Sequence, residues 1–229
     1  AIYELNTGDD LIGTTMAGGA SMGIHESQSR FYENIIGRSE AFISLIFPKI
    51  KELFPEQFEN VSAHDFYLAV NKAEPSLIRT EADELTYSMH IMVRYEIEKR
   101  LMDGSLSTKD LPNEWNRLYK EYLGIDVPCD SMGCLQDSHW SGGALGYFPS
   151  YSLGSAYGAQ FLHKMKQDID IDKLVSENRI DEVTAWLTEK IHKYGMLLTP
   201  AQLIENACGE EFNADYYIEY LTEKYNKIY

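Results

Sequence analysis

Cysteine is scarce in this sequence, with three residues in 229, at positions 129, 134 and 208. The odd number leaves at least one thiol unpaired in any intramolecular disulfide scheme. No C-x-x-C spacing occurs, which argues against a four-thiolate zinc knuckle. Free thiols persist in reducing compartments. We therefore expect the protein to work in the cytoplasm.

Basic residues and long apolar runs are also few. The 20 Lys and Arg residues stand against 36 Asp and Glu, which gives 20 − 36 = −16 at pH 7. An acidic surface without a basic stripe repels phosphate backbones, so nucleic acid is not an expected partner. Apolar runs such as 43–47 are far shorter than the roughly 20 residues that cross a bilayer, and no basic-then-apolar leader is present. We expect a soluble protein without a membrane partner.

Several catalytic motifs are missing as well. The six histidines, at 25, 64, 90, 139, 163 and 192, include no H-x-x-x-H pair that could present two imidazoles from one helix face to a metal. Glu189 and His192 have the Glu-x-x-His spacing of di-iron bundles, but only once, so a surface helix is the simpler interpretation. No phosphate-binding Gly-Lys-Ser/Thr loop occurs. Cys134 and His139 share one loop, where near neighbours seldom face each other as a catalytic pair.

Helical periodicity dominates what is present. The spacing predicts helices over about 24–47, ended by Pro48, over 82–102, over 181–194 and over 213–228. In the longest helix, the predicted inward positions are Leu85, Met89, Met92/Val93, Ile97 and Leu101. Thr199-Pro-Ala-Gln202 has the pattern of a capping box.

Evidence for strands is limited to one place. Segments 11–16 and 20–24 flank Gly18 and Gly19, which could form a tight hairpin turn. The segment 124–146 is rich in Gly, Ser, Asp and Pro, and a long loop that also carries large polar and aromatic residues is typical of a binding surface. We expect one mainly α domain over residues 1–229, with at most a small hairpin or sheet near the active-site cleft.

Three polar motifs stand out along the chain. They are H-E-S-Q at His25–Gln28, I-R-x-x-A-D at Ile78–Asp83 and G-x-x-Q-D-x-H-W at Gly133–Trp140. Taken singly, each has an ordinary structural explanation as a solvated face, a helix start or a loop. In this order, however, the sequence resembles the thermostable metallocarboxypeptidases of the carboxypeptidase Taq family. The likeness extends to flanking segments 30–34, 110–112 and 220–225, and so across essentially the whole chain.

The sequence lacks motifs that family members carry toward their N-termini. Family members also carry H-E-x-x-H, H-P-F and D-x-R-x-T motifs, none of which occurs here. In the family, a run like Ala1-Ile-Tyr-Glu4 directly follows H-E-x-x-H. The resemblance therefore implies a C-terminal catalytic segment whose N-terminal part is absent.

The resemblance implies a metal ligand and substrate contacts. Glu26 matches the third protein ligand of a Zn²⁺ or Co²⁺ ion, whose two histidines and general base belong to the missing motif. Arg79 could grip the C-terminal carboxylate of a peptide, and Gln136 is a second candidate for substrate binding.

The resemblance also implies groups that stabilise the oxyanion formed when water attacks the scissile carbonyl. His139, with Tyr147 or Tyr151, matches these hydrogen-bond donors. The expected activity is release of single residues from the C-termini of peptides. With one of three metal ligands and no base, we expect the isolated chain to bind metal weakly and to be inactive.

Two other hypotheses remain open. The chain could be a non-catalytic helical scaffold or dimerisation module left by a truncated or split gene, or cloning or proteolysis could have removed the front of an intact enzyme. For the partner we expect a homodimer or a complementing N-terminal half, because the loss of a packed neighbour exposes apolar surface.

Overall fold

The computed structural model describes residues 1–229, and helices are the only regular secondary structure in it. The prediction of a mainly α fold is thereby confirmed. By contact clustering the chain divides into two compact units, unit 1 (residues 1–71 and 153–229) and unit 2 (residues 72–152). In chain order the α-helices are α1 Ile2–Leu5, α2 Met22–Arg30, α3 Glu40–Leu53, α4 Ala63–Val70, α5 Tyr87–Met102, α6 Leu111–Leu123, α7 Pro149–Asp168, α8 Ile171–Ser176, α9 Ile180–Lys190, α10 Pro200–Cys208 and α11 Asp215–Ile228. No helix is both long and apolar enough to span a membrane.

Unit 1 has one large apolar core. Ile24, Phe161, Leu187 and Leu203 are fully buried in it, so removal of their apolar surface from water stabilises the packing of α2, α7, α9 and α10. The predicted capping box opens α10, where the Thr199 N–H donates to Gln202 Oε1 at 3.0 Å. The helix predicted over 213–228 forms as α11, and its buried residues are Tyr217, Leu221 and Tyr225.

The predicted helix 24–47 is broken in two. After α2 the chain forms a π-helix, Phe31–Ile36, in which the Gly37 N–H donates to Tyr32 O at 2.9 Å. Ser39 then starts α3 by accepting a hydrogen bond from the Phe42 N–H at 3.1 Å. The prediction that Pro48 ends the helix was wrong, because α3 continues to Leu53. Pro48 and Ser44 are both exposed, so water can satisfy the Ser44 carbonyl that proline leaves without a donor.

The predicted hairpin around Gly18 and Gly19 does not form. Residues 12–16 are turns, and α2 begins at Met22 with Ser21 Oγ accepting from the Ile24 N–H at 3.2 Å. A Cβ on Gly19 would lie 2.3 Å from His25 Nε2 and 2.8 Å from Tyr3 Cε1. Close approach of these two rings, rather than a strand reversal, accounts for glycine at position 19.

Unit 2 is built on α5 and α6. Its main core contains Val93, Ile97, Trp115, Leu118 and Tyr119, all at most 3% exposed. Segment 124–146 is irregular, as predicted, except for a 3₁₀ turn at Asp130–Met132. Cys129, Cys134 and Cys208 are all free thiols.

The predicted apolar face of α5 was partly wrong. Ile97 is buried as expected, but Leu85, which precedes the helix, and Met89 and Met92 within it are 39–51% exposed. His90 and Arg94 are fully buried in α5 instead. Apolar periodicity missed this face because its buried side chains are polar and are paired with other polar groups of unit 2.

Candidate active site

Asp137 lies between two buried arginines of unit 2. Arg79 Nε and Nη2 donate to Asp137 Oδ1 at 3.0 and 2.6 Å, and Arg94 Nε donates to Asp137 Oδ2 at 2.7 Å. Burial raises the pKa of the Asp137 carboxyl, but the hydrogen bonds and charges of the two arginines outweigh it and hold that pKa below its usual value. The carboxylate is therefore charged at neutral pH, and the two arginines fix its position from both sides.

Gln136 completes the network beside Asp137. Its Oε1 accepts from the Arg79 backbone N–H and from Arg94 Nη2, both at 2.9 Å. Its Nε2 donates to Leu77 O and Met132 O, both at 3.0 Å. Every hydrogen-bonding position of the Gln136 amide is thus occupied within unit 2.

His139 and Tyr151 form a hydrogen-bonded pair. His139 Nε2 lies 3.0 Å from the Tyr151 hydroxyl oxygen, and the imidazole packs on Phe148 at 4.4 Å between ring centroids. Burial lowers the pKa of His139, and the charges of Arg79 and Arg94 lower it further against the opposing effect of Asp137. The imidazole is therefore neutral at pH 7. Tyr147 lies beside the pair, with its ring centroid 5.6 Å from that of His139.

The positions of the protons in this pair can be inferred from Nδ1 of His139. His139 Nδ1 is buried without a hydrogen-bond partner and lies 3.9 Å from Asp137 Oδ1, too far for a hydrogen bond. A buried N–H without a partner is rarer than an unsatisfied acceptor, so the geometry favours the tautomer with the proton on Nε2. In that tautomer His139 donates to the Tyr151 oxygen, and the tyrosine O–H is directed toward a third atom.

Arg79 packs against the tyrosine of the pair. Arg79 is 5% exposed, and its Nη1 donates to the Tyr87 hydroxyl at 2.9 Å. The guanidinium carbon lies 4.9 Å from the centroid of the Tyr151 ring, which is a cation–π contact. Arg79 therefore links Asp137 to Tyr151 inside unit 2.

Glu26 belongs to unit 1 and lies on α2. Its Oε2 accepts from Ser29 Oγ at 2.8 Å, and the residue is half-buried. The other residues of the H-E-S-Q motif have structural partners: His25 packs on Tyr3, and buried Gln28 accepts from His192 Nε2 at 2.7 Å. No group of three or more His, Cys, Asp or Glu side chains in the 229 residues is arranged to hold a metal ion.

A model of the carboxypeptidase Taq (M32) metallopeptidases matches residues 1–225. The chain belongs to this family. Carboxypeptidase 1 of Bacillus subtilis is 50% identical over 230 residues, which cover 100% of this chain and 46% of that protein. Thermostable carboxypeptidase 1 of Pyrococcus furiosus is 44% identical, with 98% of this chain and 45% of that protein covered.

Solved structures of the family share the helical fold. The crystal structure of BsuCP has a TM-score of 0.97 and 50% identity, and the match covers 100% of this chain and 46% of that one. The chain thus spans about half the length of the relatives that it matches. Membership in the M32 metallopeptidases implies a divalent metal, whereas these 229 residues do not provide a complete site.

Several residues of this network in unit 2 escaped the sequence analysis. Arg94 was not selected because the apolar pattern of its helix indicated another face as the buried one. Phe148 was not selected because it lies after the last motif. Glu98, which accepts from Trp140 Nε1 at 2.8 Å, was not selected for the same reason as Arg94. Asp137 lies inside a recognised motif, and its charge between large polar neighbours was the signal that could have identified it.

Proposed function

We propose that these residues form the part of a metallocarboxypeptidase that contacts the substrate and completes its metal site. The reaction is hydrolysis of the last peptide bond, which releases single C-terminal residues from peptides. The observation that carries the proposal is the 3.0 Å pair of His139 and Tyr151, held by the buried Arg79–Asp137–Arg94 network in an M32 chain.

The pair supplies a hydrogen-bond donor of the kind that the reaction needs. The His139 N–H donates to the Tyr151 oxygen, so the Tyr151 O–H is left to stabilise the negative oxygen that develops when water attacks a carbonyl. Tyr147 lies close enough to His139 to serve as a further donor. Donors must be fixed before the reaction to be effective, and the packing of His139 on Phe148 provides this rigidity.

Glu26 is proposed as one protein ligand of the metal, which is zinc or cobalt. A catalytic zinc site has three protein ligands and an open position, so Glu26 alone does not make one. In this proposal two histidines and the general base come from polypeptide outside the 229 residues. We therefore expect the 229-residue chain alone to bind the metal weakly and to have no peptidase activity.

The role of Arg79 and Gln136 in substrate binding stays a prediction, and their contacts favour a different function. Arg79 is 5% exposed and joined to Asp137 and Tyr87, and the Gln136 amide is fully hydrogen-bonded within unit 2. We propose that both residues position the loop that carries His139. Arg79→Lys should then lower kcat by disturbing the His139–Tyr151 pair, rather than raise KM alone.

A mixing experiment tests the function. The 229-residue chain is combined with a separately produced polypeptide that contains the part of Bacillus subtilis carboxypeptidase 1 that this chain does not match. We expect bound zinc measured by elemental analysis, and release of C-terminal amino acids that a chelator abolishes. Neither polypeptide should show these properties alone.

Single substitutions in the mixed enzyme separate the roles. Glu26→Gln should remove bound zinc, while Tyr151→Phe and His139→Gln should retain zinc and each lower kcat by about 100- to 1,000-fold. Glu52→Gln is the control, since Glu52 is an exposed glutamate paired with Lys49. Full zinc content in the Glu26→Gln variant would exclude Glu26 as a ligand.

A scaffold or dimerisation module is the alternative function. Each unit has its own apolar core, as a structural module would have. In that case mixing would restore neither zinc nor activity.

We also propose that the protein is cytoplasmic and homodimeric. Three free thiols favour a reducing compartment, and the exposed apolar side chains of Met89 and Met92 favour self-association. Light scattering at dilute concentration measures the mass, and a monomer would contradict the dimer. Fractionation of cells that express the complete gene tests the compartment.

A further inference from the structure

Glu98 of α5 is a buried carboxylate with one polar partner. The residue is 5% exposed, and its Oε1 accepts from Trp140 Nε1 at 2.8 Å. It forms no ion pair within 4.0 Å in the 229 residues, whereas the carboxylate of Asp137 is paired with two arginines. A buried carboxylate without a cation costs folding free energy, so stability alone does not account for Glu98.

The partner of Glu98 directly follows His139 in the chain. Trp140 packs edge-on against Trp115 and Phe148, with ring centroids 5.9 Å apart in both contacts. Phe148 is the ring on which the His139 imidazole packs, at 4.4 Å between centroids. A shift of Trp140 would therefore move both the backbone next to His139 and the ring that supports its imidazole.

The loop around His139 is attached to the rest of unit 2 on both sides. Before His139, Asp137 is held by the two buried arginines. After His139 the backbone hydrogen bonds are local, and the Ala144 N–H donates to His139 O at 2.8 Å. Such bonds close a turn but do not attach it to α5. The hydrogen bond between Trp140 and Glu98 provides that attachment.

Glu98 also acts on His139 through its charge. Burial is the main cause of the lowered pKa of His139, and the charges of Arg79 and Arg94 lower that pKa further. The charges of Asp137 and Glu98 raise it. Removal of the Glu98 charge alone should therefore lower the pKa of His139 and leave the imidazole neutral at pH 7.

We propose that Glu98 is a positioning residue for the peptidase reaction. By holding Trp140, it fixes the loop in the arrangement in which His139 Nε2 lies 3.0 Å from the Tyr151 hydroxyl oxygen. Groups that stabilise a transition state act only within a narrow range of positions, and a displacement of about 1 Å can cost about 100-fold in rate. The inference rests on the proposed function of the His139–Tyr151 pair.

Nuclear magnetic resonance of the 229-residue chain tests the positioning without any activity. Nitrogen-15 shifts of His139 show which imidazole nitrogen carries the proton. We expect the Nε2 tautomer in the unmodified chain and in Glu98→Gln, whose amide oxygen can still accept from Trp140. Glu98→Leu, which removes the acceptor, should give a mixture of both tautomers. Glu96→Leu on the same helix removes a carboxylate that pairs with Lys99 and should leave the tautomer unchanged.

Kinetics of the mixed enzyme test the consequence for the reaction. Glu98→Leu should lower kcat by about 10- to 100-fold and leave KM within about twofold, because the substrate still binds while the transition state is stabilised less. Glu98→Gln should keep kcat within about threefold of the unmodified enzyme, because it retains the hydrogen bond.

Stability separates positioning from a purely structural role. The free energy of unfolding of Glu98→Leu should change little, because the lost hydrogen bond is offset by removal of a buried carboxylate. A residue that only supports the fold would lose stability and activity together. Urea denaturation of the 229-residue chain measures the difference.

Trp140→Phe removes the donor and keeps an aromatic ring. Alone it should lower kcat to a similar extent as Glu98→Leu. The double variant should be no more than about twofold slower than the slower single variant, because both changes break the same hydrogen bond. Where circular dichroism shows that Glu98→Leu is unfolded, Trp140→Phe and Glu98→Gln provide the same comparison of a broken and a retained bond.

Several results would overturn the inference. They are an unchanged tautomer and kcat in folded Glu98→Leu, additive losses in the double variant, and equal losses in Glu98→Gln and Glu98→Leu, since charge and not the hydrogen bond would then matter. Failure of the proposed function gives a different result. The tautomer of His139 would still depend on Glu98 in the 229-residue chain, whereas His139→Gln would retain full kcat in the mixed enzyme.

Discussion

Gly154 of α7 lies directly against Glu26 of α2. A Cβ added to Gly154 would be 2.6 Å from Glu26 Cβ and 2.9 Å from Ser27 N. Only glycine allows the two helices of unit 1 to approach so closely. The backbone position of the proposed metal ligand is therefore set by a residue far away in sequence.

Gly154→Ala should consequently displace Glu26. The added methyl meets backbone and Cβ atoms that have little freedom to move, so we expect a loss of about 1–3 kcal/mol in the free energy of unfolding. Urea denaturation measures this loss. In the mixed enzyme, the same variant should bind less zinc.

Gly158→Ala is the matched control on the same helix. Its added Cβ would lie 3.4 Å from Ser27 O and 3.7 Å from Ile35 Cδ1, which is close to ordinary contact. This variant should be much less destabilised. Equal effects at 154 and 158 would show that the approach to Glu26 has no special importance.

Asp137→Ala should destabilise unit 2 strongly. The substitution leaves Arg79 and Arg94 as buried charges without their shared partner, and breaking such a pair costs about 3–5 kcal/mol. Urea denaturation, followed by the fluorescence of Trp115 and Trp140, measures the change. Glu121→Gln removes an exposed partner of Arg117 and should have little effect.

Stability should fall below pH 6.5 because of His192. Burial lowers the pKa of His192 to about 4 in the folded chain, from 6.5 as the ordinary value. As pH falls, the unfolded chain takes up the proton first, so protonation favours unfolding between pH 6.5 and 4. The difference of 6.5 − 4 = 2.5 units corresponds to about 3 kcal/mol at the acid end of this range.

The variant His192→Gln isolates this effect from the protonation of carboxylates. Its free energy of unfolding, measured from pH 4 to 7, should change less with pH than that of the unmodified chain. Some acid sensitivity should remain, because burial and the charges of Arg94 and Arg79 lower the pKa of His90 to about 3. Parallel pH profiles for the two proteins would contradict the role of His192.

Thr199→Ala should cost about 1 kcal/mol by removing the cap of α10. The Thr199 hydroxyl accepts from the Gln202 N–H at 3.4 Å in the capping box. Thermal unfolding should show a lower midpoint for this variant. Thr108→Ala, at an exposed threonine outside any helix, serves as the control and should leave the midpoint unchanged.

Local patterns in the sequence were sufficient for much of the helical structure. The capping box at Thr199 and the inward face of α11 depend on side chains three or four positions apart, so sequence spacing alone predicts them. The hairpin predicted from Gly18 and Gly19 was wrong, because glycine also occurs where other side chains approach the backbone closely. The buried face of α5 was missed because its polar residues find partners far away in sequence.

The sequence by itself determined the helical class, the family motifs and the identity of Glu26, His139 and Tyr151 as candidates. Only the tertiary structure decided that Arg79 and Gln136 are occupied within unit 2 and that Gly154 fixes Glu26. The physical reason is that helix formation and capping act over a few neighbouring residues, whereas burial, charge pairing and close backbone contact depend on segments that only folding brings together.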